Sequence, residues 1–240
     1  MIGDSAERRV EILSDHDALH ATWTRFGPHR AGAEPHVHRR HSDLFYVLAG
    51  ELTVALGADR SETIAPAGTL VLAPPLVVHG FRNGSAAELR YLNFHAPGEG
   101  FAGYLRGLRD GQEKPSFDSE DPPADGGRPV AEAIVRRGVT PLIDLEEIGI
   151  TEVRSGPGSE SGSRMTPQHL HLRHNEFFYV LAGELAFTAG GRELRATPGS
   201  WVQIPPGVPH TFAVTGSEEV RFLDIHAPSF GLGELDQEPA

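Results

Sequence analysis

The chain has 240 residues, enough for one large domain or two of ordinary size, each able to enclose its own core. Its 33 acidic and 21 basic residues give a formal charge of −12 and leave no basic stripe to neutralise a phosphate backbone, which argues against nucleic acid as a partner. Cysteine is absent, so disulfides and thiolate ligands are excluded and any metal must sit in imidazole and carboxylate.

The first ten residues, MIGDSAERRV, do not resemble a secretory signal. Apolar runs such as 69–78 are broken by proline and are far shorter than a membrane span. A cytoplasmic protein with no membrane partner is the expectation. RVEIL and LHATWTRF read as β-strands, followed by the loop FGPHRAGAEP. Next come PHVHRRHSDLFYVLAGEL at 35–52, with a turn at Ala49-Gly50, and a strand pair around 68–82. AELRYLNFHA is a further strand stopped by Pro97, and FAGYLRGLRDG reads as a short helix closed by Gly111. Short strands with frequent turn signals indicate an antiparallel barrel or sandwich.

Residues 112–129 turn acidic and rich in Pro and Gly, the composition of a linker. Pro129 and Gly138 then bracket VAEAIVRR as a second short helix. The expected division is therefore an N-terminal domain at 1–111, a linker at 112–129 and a C-terminal domain at 130–240. The C-terminal part repeats the plan with PLIDL, IGITEVR, the loop SGPGSESGSRM and QHLHLRHNEFFYVLAGEL at 168–185. The heptapeptide YVLAGEL stands unchanged in both halves. That loop's place before His169 allows a lid, although a solvated loop is the commoner case.

Histidine placement is the sharpest signal. Of the 13 histidines, ten fall into pairs related by the repeat: 36/169, 38/171, 41/174, 79/210 and 95/226. On a strand, residues i and i+2 share a face, so His36 and His38, like His169 and His171, point the same way. Asp43 and Glu176 can return to that face across a turn. His79 and His210 then close sets of three nitrogens and one oxygen with positions left open. His41 and His174, beside Arg40 and Arg173, are expected as solvated turn residues or at a pocket mouth. His95 and His226 are expected to serve structurally at a strand end, with support of the ligands as the alternative. Alternation places Phe45 and Phe178 on the inner face, with Phe81 and Phe212 beyond the fourth histidines, where they either shape a pocket or pack as core. The opposite face of the same strand is also apolar, which implies sheet packed on sheet between domains or between subunits, as in a homodimer.

These motifs resemble the cupin family, and specifically a bicupin. The first cupin motif is met by His169, His171, Glu176 and Gly183. The second is met by Gly199, Pro205, Gly207 and His210, with Val214 where the family has Asn. In the N-terminal copy Gly68, Pro74, His79 and Asn83 fit, whereas Asp43 replaces Glu and Leu76 replaces Gly. The resemblance implies an all-β chain of two tandem jelly-roll β-barrels with short peripheral helices. It also implies one divalent transition metal (Fe, Mn, Ni, Co, Cu or Zn) per domain, held by His36, His38, Asp43 and His79, and by His169, His171, Glu176 and His210. Asp43 is one methylene short and Leu76 sits where glycine can take a positive φ, so the C-terminal set is the stronger expectation. Resemblance to quercetinase-type dioxygenases further implies a small aromatic or enolisable substrate, Glu176 as base as well as ligand, and Phe178, Phe212, Phe45 and Phe81 around the pocket. A metal-dependent isomerase and a non-catalytic ligand-binding bicupin are the alternatives.

Overall fold

The computed structural model describes residues 3–113, 115–155, 165–230 and 237–239. The chain divides into two compact units, 1–138 and 139–240. The loop SGPGSESGSRM, read as a solvated loop or a lid, lies largely outside the described residues.

In the N-terminal unit the strands are β1 (Gly3–Asp4), β2 (Arg8–His16), β3 (Leu19–Phe26), β4 (Ser42–Ala49), β5 (Glu51–Leu56), β6 (Ser61–Pro66), β7 (Thr69–Ala73), β8 (His79–Arg82), β9 (Leu89–Ala96) and β10 (Ile134–Arg137). They form a seven-stranded sheet in the order β1-β2-β3-β9-β4-β7-β10 and a three-stranded sheet in the order β6-β5-β8. Between the two sheets lie Phe26, Phe45, Val47, Leu52, Val54, Val71 and Tyr91, the inward side chains of alternating strands. The outward Leu44 and Tyr46 of β4 are buried as well, as the two-faced apolar pattern required. One helix, α1 (Phe101–Arg109), follows β9.

The C-terminal unit contains β11 (Ile143–Asp144), β12 (Gly149–Ser155), β13 (His169–His171), β14 (Asn175–Ala182), β15 (Glu184–Ala189), β16 (Arg192–Ala196), β17 (Trp201–Ile204), β18 (His210–Thr215), β19 (Val220–Ala227) and β20 (Gln237–Pro239). Two five-stranded sheets, β11-β12-β19-β14-β17 and β16-β15-β18-β13-β20, enclose Phe178, Val180, Leu185, Phe187, Phe212 and Phe222. All strand pairs are antiparallel. The all-β reading holds, and no helix among the described residues is long and apolar enough to cross a membrane.

The repeated Ala-Gly turn has a steric cause. Gly50 and Gly183 have φ of 76° and 72°, and a Cβ on them would stand 2.4 Å from Glu88 O and 2.7 Å from Glu219 O. Only glycine fits both the dihedral and the close approach. The turn keeps β4 and β14 in register with the last strands, so that Asp43 lies opposite His95 and Glu176 opposite His226.

Two expectations are corrected. The stretch VAEAIVRR is not a helix: after a single 3-10 turn at Val130–Glu132 it becomes β10 and pairs with β7. The open edge of an apolar strand, TLVLA, takes up this partner and so is not left exposed. Nor does 112–129 behave as a tether. Val37 and Glu120 exchange backbone hydrogen bonds of 3.0 Å in both directions, and Arg128 N donates to Leu76 O at 2.9 Å. This segment covers the edge of the 36–38 ligand strand, the edge that β20 covers on β13 in the C-terminal unit.

Candidate metal centres

Each unit brings its three histidines and one carboxylate together. In the C-terminal unit β13 presents His169 and His171, β18 pairs His210 directly opposite His169, and β14 begins with Glu176 one residue in. In the N-terminal unit the bridge between His36 and His79 does the same, and β4 supplies Asp43. In each set, one ligand atom per residue lies within 4.8 Å of the others, a group that can hold a metal ion. Ring centroids are 4.4 to 5.0 Å apart among His36, His38 and His79, and 4.3 to 5.3 Å apart among His169, His171 and His210. The two sets are close copies.

The chemistry of the donors fits a metal. Nδ1 of His36 faces Glu34 O at 2.8 Å, that of His79 faces Val77 O at 2.8 Å, that of His169 faces Pro167 O at 2.9 Å, and that of His210 faces Val208 O at 2.9 Å. A carbonyl only accepts, so each Nδ1 carries the proton and each Nε2 turns a lone pair inward, as imidazole ligands require. Nε2 of His38, His79 and His210 is buried, and each faces the carboxylate of its own set. Buried acceptors left in that state are uncommon, and a shared cation would satisfy them.

The carboxylates differ as their lengths predict. Glu176 Oε2 lies 2.6 Å from His210 Nε2 and 3.2 Å from His171 Nε2, whereas Asp43 Oδ2 stands 3.3 Å from His79 Nε2 and 3.7 Å from His38 Nε2. Burial alone would raise both acids. The surrounding histidines, His95, His38 and His79 for Asp43, and His171, His210 and His226 for Glu176, outweigh it and hold both carboxyls well below the usual range. Burial, reinforced by His79 and His38, pushes His36 down to about 3. Burial also lowers His169, whereas His210, which burial would lower, is raised by Glu176. Leu76 adopts the positive φ that glycine has at the matching place, 67° against 76° for Gly207, so the turn forms despite the substitution. Val214 sits in the apolar core, whereas Asn83 binds Gly27 O and Ala87 O through its amide; this departure affects a turn and not the ligands.

The remaining paired histidines depart in part from the expectation. His41 and His174 are buried, not solvated. In the N-terminal unit Asp118 Oδ2 lies 3.1 Å from His41 Nδ1, and His41 Nε2 and His95 Nδ1 share a hydrogen bond of 2.9 Å. His95 Nε2 lies 3.1 Å from Asn93 Oδ1, and Asn93 Nδ2 donates to Asp43 Oδ1. A chain of polar groups thus runs behind the N-terminal carboxylate. In the C-terminal unit His226 Nε2 lies 3.2 Å from Asp224 Oδ1 and 4.0 Å from Glu176 Oε1. Both last-strand histidines therefore stand behind ligands and do not merely end a strand. The pairing with Asp118 left no local trace in the sequence, because 77 residues separate it from His41.

Phe45 and Phe178 are fully buried in the core, and Phe212 packs between Phe178 and Phe187. Phe81 lines a cavity of about 430 Å³ in the N-terminal unit, and His36, His38 and Asp43 form part of its wall. Tyr91 from β9, Phe101 and Tyr104 from α1, and Phe117 from the 112–129 segment supply aromatic surface, and Arg8 lies along it. The expectation favoured the C-terminal set, yet this ligand-sized cavity adjoins the N-terminal one.

Known proteins agree with this architecture. No curated protein sequence matches the chain. Among solved structures, Ylba from E. coli has 10% identity and a TM-score of 0.65 over 92% of this chain and 83% of that one. AerE from Microcystis aeruginosa has 15% identity and a TM-score of 0.62, covering 93% of each chain. Oxalate decarboxylase from Bacillus subtilis, a protein with Mn(II) centres, has 15% identity and a TM-score of 0.59 over 92% of this chain and 72% of that one. At these identities the likeness is one of fold. The sequence model of the cupin domain matches residues 22–95 and 158–226, the two copies that hold the histidine sets, and the chain therefore belongs to the cupin family as a tandem pair.

Proposed function

We propose that the protein is a metal-dependent cupin oxygenase, a dioxygenase acting on a small aromatic or enolisable compound. The observation that carries this reading is the cavity of about 430 Å³, with aromatic walls and a three-histidine, one-carboxylate set at its side. Its volume is that of a small-molecule pocket and exceeds the needs of a two-carbon diacid. Either set would hold a divalent transition metal, which when bound supplies Lewis acidity toward an enolate oxygen and redox chemistry with dioxygen.

The residues of the chain bind, orient and deprotonate. Phe81, Tyr91, Phe101, Tyr104 and Phe117 favour a flat ligand and keep water from it. Asp43, and Glu176 in its own centre, are ionised carboxylates that accept the substrate proton. Carboxylates held this low are weak bases. They suit a substrate whose own proton is acidic, a phenol or an enol, better than an unactivated C–H bond.

Metal analysis of protein purified without added metal, followed by oxygen uptake with a panel of phenolic and enolisable compounds, tests the proposal. The expected result is retained transition metal and substrate-dependent oxygen consumption. His38→Ala should lower that consumption by more than the roughly 10- to 100-fold typical of losing an outer partner, with His171→Ala costing less because the cavity adjoins the N-terminal set. Turnover that continues without oxygen would sink the oxygenase reading, and protein devoid of transition metal would sink the enzyme reading altogether.

A further inference from the structure

Four of the six candidate histidine ligands take their Nδ1 partner from the carbonyl two residues back: Glu34 for His36, Val77 for His79, Pro167 for His169 and Val208 for His210. That device comes with the strand itself. His38 is different, because its Nδ1 proton goes to the carbonyl of Asp118, 80 residues further along the chain. The Asp118 side chain is buried, and its Oδ2 accepts from the backbone amides of Arg39 at 3.0 Å and Arg40 at 2.8 Å and from His41 Nδ1 at 3.1 Å. Phe117 packs its ring 5.3 Å from both His38 and His41, and Glu120 is bonded in both directions to Val37.

We propose that residues 117–120 are a positioning strap built into the N-terminal centre, with Asp118 as its positioning residue. The inference rests on the reading that His36, His38, Asp43 and His79 hold a metal. His38 offers Nε2 to that metal only while Nδ1 keeps the proton and the ring keeps its angle, and the Asp118 carbonyl secures both. The carbonyl stays there because the carboxylate of the same residue is tied by three donors to the turn at 39–41. One residue thus holds a ligand through its main chain and holds itself through its side chain. The stretch that composition marks as a linker completes the first centre.

The test uses the full-length chain, stripped of metal and titrated with Mn(II), with binding followed by calorimetry and by the Mn(II) electron-spin signal. The C-terminal set serves as the internal reference. Asp118→Ala should weaken the N-terminal site by about 10- to 100-fold and leave the C-terminal site unchanged. Asp118→Asn keeps an oxygen for the two amides and should restore most of the loss. In metal-free protein, imidazole ¹⁵N shifts should show His38 fixed as the Nδ1–H form in the wild type and as a mixture of tautomers in Asp118→Ala, a change that general loosening of the fold would not confine to His38 and to His41, whose Nδ1 partner is lost with the carboxylate. Should Asp118→Ala fail to fold, Asp118→Glu, which keeps the charge but moves it by one methylene, should show the same selective weakening. Wild-type Mn(II) affinity at the N-terminal site of folded Asp118→Ala or Asp118→Glu overturns the strap while leaving the metal reading intact, and so does an equal loss at both sites. A wild-type stoichiometry that His36→Ala does not lower overturns the metal reading and the strap with it.

Discussion

The two ligand sets differ by a single methylene, and the consequences can be followed atom by atom. Glu176 reaches to 2.6 and 3.2 Å from two imidazole nitrogens, while the shorter Asp43 stops at 3.3 and 3.7 Å. Asp43 is also held from behind by the Asn93 amide, which draws part of its charge away from the ligand side. Removing the carboxylate should therefore cost the C-terminal centre more. We expect Glu176→Ala to weaken Mn(II) binding at its site by roughly tenfold more than Asp43→Ala does at the other, a difference of about 1.4 kcal/mol. Each variant would be titrated in a background where the opposite set is broken by His36→Ala or His169→Ala, and equal losses would show that length has no bearing on the affinity. The eight ligand candidates were legible because strand periodicity and a repeated motif gather most of them within a few residues. The direction of His41 was not, since its neighbour Arg40 is exposed while its partner Asp118 is remote in sequence.

At the scale of elements, the strands declared themselves through β-branched and aromatic runs ended by Gly and Pro, and α1 through its helix formers and Gly111. The segment after α1 misled for a physical reason. Composition reports how much apolar surface a stretch can bury, but 112–129 is held mainly by hydrogen bonds to the ligand strand and to the 74–76 turn, which composition does not register. Likewise Pro129 and Gly138 bracket VAEAIVRR as they would a helix, yet the vacant edge of β7 decides its conformation. Gly127 distinguishes a strap from a tether. It has a φ of 70°, and a Cβ there would lie 2.4 Å from the carbonyl oxygen of Leu76. Gly127→Ala should lower the stability of the N-terminal unit by about 1–3 kcal/mol in urea unfolding, through both the strained dihedral and the backbone contact. An unchanged midpoint would mean that the segment does not stay where it is seen.

At the scale of the whole molecule, duplication has been followed by divergence in how each unit handles buried histidine. In the C-terminal unit carboxylates raise His210 and His226 against the burial that would lower them. In the N-terminal unit burial dominates and lowers His20, His36, His41 and His95. His20 belongs to neither ligand set. Its place in the repeat falls on Gly149, which lies opposite His226 as His20 lies opposite His95. Burial takes its pKa to about 4; Asp15 pulls it up, Arg106 pushes it down, and the rings of Phe101 at 5.1 Å and His95 at 6.2 Å pack against it. Between pH 6.5 and about 4 the unfolded chain therefore binds a proton at this position that the folded chain refuses. Stability from His20 is complete above the unfolded value and is lost as pH falls toward the folded one. On going from pH 7.5 to pH 5 that loss amounts to about 2 kcal/mol. His20→Gln, which cannot take up a proton in either state, should remove it. Urea unfolding of the chelator-treated wild type and variant at the two pH values measures the difference directly, and identical acid sensitivity in both would mean that His20 is protonated inside the fold as readily as outside it.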